Sequence, residues 1–166
     1  MDGKLRNMTA LYVTDRTDAE HPRLLMLYRI GSKVVEPSWC GIGGHFEPEE
    51  LNDPRACVLR ELHEELGLGE DDLASLALRY IVLRNAKGEV RQNYFFFAEL
   101  KQGAEEGLVS DEGQLKWFAH EELAALPMPP SARQAIDHWL AEGRHTEWLY
   151  GGISHGEKAD FLPLDE

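Results

Sequence analysis

The chain has 166 residues, 43% hydrophobic and 28% charged, the proportions of one globular domain with a real core. Its formal net charge is −13, from 17 Lys and Arg against 30 Asp and Glu. That balance argues against binding long nucleic acid, where neutralisation of phosphates by basic side chains dominates affinity. No apolar run approaches the roughly 20 residues of a membrane helix, and Met1 to Asn7 lacks the apolar stretch of a signal peptide. Cys40 and Cys57 do not make a disulfide framework. The expectation is therefore a single cytoplasmic domain over 1–166, monomer or homodimer, without a membrane partner.

In chain order, Met8 to Thr14 reads as a strand and Leu24 to Ile30 as its hairpin partner across a polar stretch. Ser38 to Gly44 reads as a glycine-rich turn with short extended flanks. The residues from Pro54 to Leu66 predict a helix, with Asp53 as N-cap, Pro54 as first helical residue and Gly67 just past the end. Leu76 to Asn85 and Val90 to Leu100 predict strands around a turn at Gly88, and Gln114 to Ala119 a shorter strand. Glu121 to Leu126 forms a helical turn stopped by prolines. Ser131 to Glu142 reads as a second helix with Ala135, Ile136, Trp139 and Leu140 inward. The tail 143–166 is an extension of uncertain structure, in which Leu149 to Ile153 offers an edge strand. Strands and helices do not alternate strictly, so the class is α+β, a mixed β-sheet sandwiched between helices.

The most informative stretch is the helix after the glycine turn. At about 100° per residue, Glu61, Glu64 and Glu65 share an arc of roughly 100°, away from the stripe of Leu59, Leu62 and Leu66. Carboxylates near a helix C-terminus face its partial negative charge and repel one another. Divalent metal relieves that arrangement. Mg²⁺ takes oxygen ligands, keeps several waters, and is shared between carboxylates and substrate phosphates. A small phosphate-bearing substrate suits an acidic chain on these terms.

These residues resemble the Nudix box: Gly, five residues, Glu, seven residues, then Arg-Glu-aliphatic-any-Glu-Glu-any-Gly-aliphatic. Gly44, Glu50, Arg60, Glu61, Leu62, Glu64, Glu65, Gly67 and Leu68 occupy its fixed positions. Nine residues rather than seven separate Glu50 from Arg60, and the two extra fall near Leu51 and Asn52, before the helix. The resemblance implies the Nudix fold and a hydrolase of nucleoside diphosphate derivatives that uses Mg²⁺ or Mn²⁺. It implies Glu61, Glu64 and Glu65 as metal ligands with the Gly43 carbonyl, and Arg60 as the group orienting a glutamate. Glu112, five residues before Trp117, resembles the family's downstream acid that reaches the metals.

The implied chemistry is metal-assisted phosphoryl transfer. Glu64 or Glu112 takes a proton from the attacking water, and the products of a nucleoside triphosphate are the monophosphate and pyrophosphate. Ser38 to Gly44 and Glu122 to Ser131 resemble segments of MutT-like enzymes that sanitise oxidised purine nucleotides, the 8-oxo-dGTP diphosphatases. Gly44, Cys40, Tyr94, Phe96 and Met128 are the candidate substrate-binding residues. Cys40 and Pro130 stand where the mammalian sanitising enzyme has polar side chains that read the base, so base recognition here differs. Nucleotide-sugar or dinucleotide pyrophosphatase, and a non-catalytic nucleotide sensor, are the alternatives.

Overall fold

The computed structural model describes residues 3–30 and 36–164. Its strands are β1 (Leu5–Asp15), β2 (Arg23–Arg29), β3 (Ser38–Cys40), β4 (Leu73–Ala86), β5 (Glu89–Leu100), β6 (Gly113–Ala119), β7 (Tyr150–His155) and β8 (Lys158–Pro163). Two helices, α1 (Pro54–Leu66) and α2 (Pro130–Ala141), complete the core. The sheet runs β3-β2-β1-β5-β4-β7-β8, with β6 on the other edge of β2. Pairing is mixed: β1 with β5 and β4 with β7 are parallel, and the other pairs antiparallel.

Both faces of the sheet are covered. Val58 and Leu62 of α1 pack on Leu11, Leu25, Leu27 and Phe96. Ala132, Ala135, Ile136 and Trp139 of α2 pack on Tyr12, Tyr80, Phe95 and Phe97. The run Tyr94 to Phe97 is thus divided by strand alternation, with Phe95 and Phe97 under α2 and Tyr94 and Phe96 under α1. The β4–β5 hairpin closes through Lys87 and Gly88, both at positive φ (55° and 79°), as a two-residue turn matched to strand twist requires.

Helix α1 has the predicted bounds and caps. The Asp53 side chain accepts from the Ala56 amide, and Gly67 turns left-handed at φ 69°. The extended tail differs from expectation. Tyr150–His155 is an internal strand between β4 and β8, and β8 is the edge. The hairpin was hidden because Gly151 and Gly152 interrupt the apolar alternation. Gly152 is where Phe161 of β8 crosses: a methyl there would lie 2.5 Å from its ring. Among the described residues, no helix is long and apolar enough to cross a membrane.

A fork in the sheet creates the site. β6 occupies one edge of β2, while the other edge pairs with β1 at Arg23–Leu25 and with β3 at Leu27–Arg29. The chain leaving β3 then bridges back to β1. Leu11 and Ile42 exchange backbone hydrogen bonds of 2.6 and 2.9 Å, and the Thr9 amide donates to the Gly44 carbonyl at 2.9 Å. The glycine turn is wedged where β1 and β2 part.

Candidate active site

Gly43 lies in the fork at φ 151°, with Thr9 O only 2.3 Å from where a Cβ would stand. That neighbour is backbone and cannot yield, so glycine is required there. A methyl on Gly44 would lie 2.6 Å from Glu61 Oε1. The turn therefore lets the backbone approach α1's carboxylates directly.

Two arginines tie those carboxylates together. Arg60 grips Glu50 as a fork, Nε to Oε1 at 2.7 Å and Nη2 to Oε2 at 3.0 Å. Its Nη1 donates to Glu61 Oε1 at 2.8 Å and Glu64 Oε2 at 3.0 Å, and Nη2 donates to the His45 carbonyl at 3.0 Å. Arg29 of β2 makes the second set. Its Nη2 lies 2.7 Å from Glu65 Oε1, 3.1 Å from Glu112 Oε2 and 3.4 Å from the Gly43 carbonyl. The Gly43 amide also donates to Glu65 Oε1 at 3.3 Å.

Burial grades the three helix glutamates. Glu64 is exposed, Glu61 half-buried, and Glu65 only 6% exposed. Removal from water is the first cause pushing the Glu65 carboxyl up to about 7, against the pull of Arg29; nearby Glu112 adds to the rise. Burial likewise raises Glu61, with Arg60 opposing. Cys40 and Cys57 are pushed up by burial to about 11 and about 12, which makes both poor nucleophiles.

Glu50 is fixed by the longer loop. The two extra residues sit in a turn at Leu51 and Asn52, after a 3-10 turn over Pro48–Glu50. Glu50 Oε2 accepts from the Glu47 amide at 2.9 Å. Its hydrogen bonds to Arg60, ahead of other causes, hold its carboxyl at about 2, below the free value of 4.5. A depressed carboxyl contributes stability that is complete above 4.5 and is lost as pH falls through 2. Urea unfolding between pH 6 and 2 is expected to show that loss in the parent and a flatter limb in Glu50→Gln. Parallel limbs would show that this ion pair does not stabilise the fold.

By chemical type, the donors suit a hard divalent cation. All are oxygens, five carboxylates face two guanidinium groups, and Glu65 Oε2 is buried with no hydrogen-bond partner among the described residues. Among the described residues, no three His, Cys, Asp or Glu side chains are placed to hold a metal ion together. Arg60 and Arg29 occupy the intervening space instead.

A cavity of about 300 Å³ opens beside the glycine turn, on the α2 face of the sheet. Gly43, Gly44 and Cys40 line it. Tyr94 and Phe96 do not: strand alternation puts them on the α1 face, where Phe96 is buried and Tyr94 packs on Phe46 at 5.2 Å between ring centroids. The aromatic at the cavity is Phe95, beside Asn93. Met128 packs into the α2-side core, and Pro129, Pro130 and Ser131 reach the cavity instead. They are held there because the Trp39 amide donates to Pro127 O at 2.8 Å. Arg29, Asn93 and Phe95 went unread in the sequence. Only the registers of β2 and β5 reveal them.

The NUDIX domain family model matches residues 4–139. No curated protein matches the chain. Among solved structures, the mutator MutT protein of Bacillus halodurans is 23% identical with a TM-score of 0.64, over 89% of this chain and 88% of that one. The MutT protein of Methanosarcina mazei is 14% identical with a TM-score of 0.66, over 88% and 99%. A Caenorhabditis elegans Ap4A hydrolase is 16% identical with a TM-score of 0.64, over 86% and 99%. These identities carry the fold. The family match spans β1 through α2 and includes every carboxylate described above, so the chain belongs to the NUDIX domain family.

Proposed function

We propose that the chain is a Mg²⁺- or Mn²⁺-dependent nucleoside triphosphate pyrophosphohydrolase, releasing the monophosphate and pyrophosphate, with oxidised purine nucleotides such as 8-oxo-dGTP favoured. The observation that carries this reading is the junction at Gly43 and Gly44. On one side lie Glu61 and Glu65; on the other lies a cavity with an aromatic wall and a few polar groups. Polyphosphate would lie at the carboxylate end and the base in the cavity, over Phe95 and near Asn93.

Glu61, Glu64, Glu65, Glu112 and the Gly43 carbonyl would hold the cation. When bound, it neutralises phosphate charge and acidifies a water. Arg60 keeps Glu61 and Glu64 on one side of the turn. Arg29 keeps Glu65 against the turn and Glu112 beside it. Glu64 and Glu112 are the exposed carboxylates of each set, with side-chain exposures of 57% and 53%, and so the ones free to take a proton from water.

Pyrophosphate release should be measured over ordinary and oxidised (d)NTPs, nucleotide sugars and dinucleoside polyphosphates. Turnover is expected with Mg²⁺ or Mn²⁺, none in EDTA, and highest kcat/KM on an oxidised purine triphosphate. A preference for a nucleotide sugar or dinucleotide would overturn the sanitising assignment. Binding without turnover of any diphosphate would favour a sensor.

A further inference from the structure

The far end of the same cavity carries a second charged array of opposite sign. Arg6 of β1, Arg91 of β5 and Arg84 of β4 are register partners, Arg6 with Arg91 and Arg91 with Arg84. All three line the cavity. Neighbouring strands lie about 4.8 Å apart, so three guanidinium groups stand in one row. Like charges directly opposite across a sheet destabilise it. Of the three, Arg6 alone has an ion pair among the described residues, with Glu89 at 3.0 Å. Among the described residues Arg84 makes no hydrogen bond or ion pair, and Arg91 Nε is buried without a partner. The row continues in register to Ser154 of β7, 7% exposed, whose hydroxyl has no partner among the described residues either. In a chain of net charge −13, positive charge is concentrated here. One carboxylate, exposed Glu36, also lines the cavity.

The row is placed to meet a substrate. Met8 bridges to His45, so Arg6 lies two residues, about 7 Å, further along β1 than the end of the glycine turn. A molecule with its anhydride at the carboxylates and its other end in the cavity reaches the arginines.

We propose that Arg84, Arg91 and Arg6 form a second anion site, which takes a phosphate group carried by the substrate away from the scissile anhydride. Arginine suits this because its planar fork matches phosphate oxygens in pairs. The site rests on the carboxylate end being the hydrolytic end, and it extends the substrate class to nucleotides that bear a further phosphate.

Binding without turnover tests it. The whole chain is titrated in EDTA, followed by NMR, with inorganic phosphate, adenosine, adenosine 5′-monophosphate and adenosine 3′,5′-bisphosphate. The bisphosphate is expected to bind at least about 10-fold tighter than the monophosphate, as charge-assisted paired hydrogen bonds allow. Inorganic phosphate is expected to shift the amides around Arg84 and Arg91. Arg84→Gln should erase the bisphosphate advantage, and Glu64→Gln should keep it. Arg84→Lys, which keeps the charge and loses the fork, should retain part of it. Equal affinity for the two nucleotides, or an advantage that survives Arg84→Gln, overturns the proposal. So does binding of adenosine as tight as the bisphosphate, which would make the row a reader of the base. Because no step needs hydrolysis, an absence of turnover on triphosphates would defeat the enzymatic reading and leave this one standing or falling separately.

Discussion

Glu64→Gln is expected to lower kcat by about three orders of magnitude, the range lost when a positioned acid–base group is removed, and to leave Tm within about 3 °C of the parent. The two halves follow from different observations. Glu64 is 57% exposed at its side chain, and among the described residues its one ion pair is a 3.0 Å contact with Arg60. An exposed pair of this kind is worth at most about 1 kcal/mol, because solvent screens it and both chains lose rotamer freedom. Glutamine keeps the length and the hydrogen bond and loses the charge. The functional demand is for that charge: an amide is a poor base and a weak donor to a divalent cation. Single-turnover kinetics with saturating Mg²⁺, beside a thermal melt, reads both halves. If turnover persists within about 10-fold of the parent, Glu64 is not the base. Running Glu112→Gln in parallel then decides which exposed carboxylate takes the proton.

How legible these groups were depends on whether they are linked along the chain or across it. Helix α1, its Asp53 and Gly67 caps and the mutual closeness of Glu61, Glu64 and Glu65 are local consequences of helical spacing and capping chemistry, which one stretch of sequence contains. Their inequality is not local. Glu65 is buried and Glu64 exposed because the sheet, Gly43 and Arg29 lie on one side of the helix. The glycine turn was readable as a turn. Its wedging between β1 and β2 was not, because partner switching on one edge of β2 leaves no periodic trace. Tyr94 and Phe96 were separable from Phe95 and Phe97 by alternation, but which pair faces the cavity depends on where α1 and α2 dock. Arg84 and Arg91 face each other across one hairpin, seven residues apart, but Arg6 lies far from both in sequence, and only the parallel register of β1 on β5 brings it beside them.

Arg60→Ala is expected to be the most damaging single change to the fold of the site. Among the described residues it removes the only cation paired with Glu50, Glu61 and Glu64, of which Glu50 is 8% exposed and Glu61 half-buried. Stripping one partner from a largely buried ion pair leaves a desolvated charge, at a cost of about 3 kcal/mol. For a domain of this size that lowers Tm by about 6–12 °C. Activity should fall as well, since Arg60 Nη1 is the single donor that holds Glu61 and Glu64 on the same side of the turn. Arg60→Lys restores charge without the fork, so it should recover part of the stability and less of the activity. The origin of the loss can be isolated with Glu50→Gln. If the cost of Arg60→Ala is the stranded Glu50 carboxylate, adding Glu50→Gln to it should recover stability, and the double variant should be more stable than the sum of the two single losses. Strict additivity would place the cost instead in the Arg60 contacts to Glu61 and the His45 carbonyl. An unchanged Tm in Arg60→Ala would show that Glu50, Glu61 and Glu64 need no arginine to fold around.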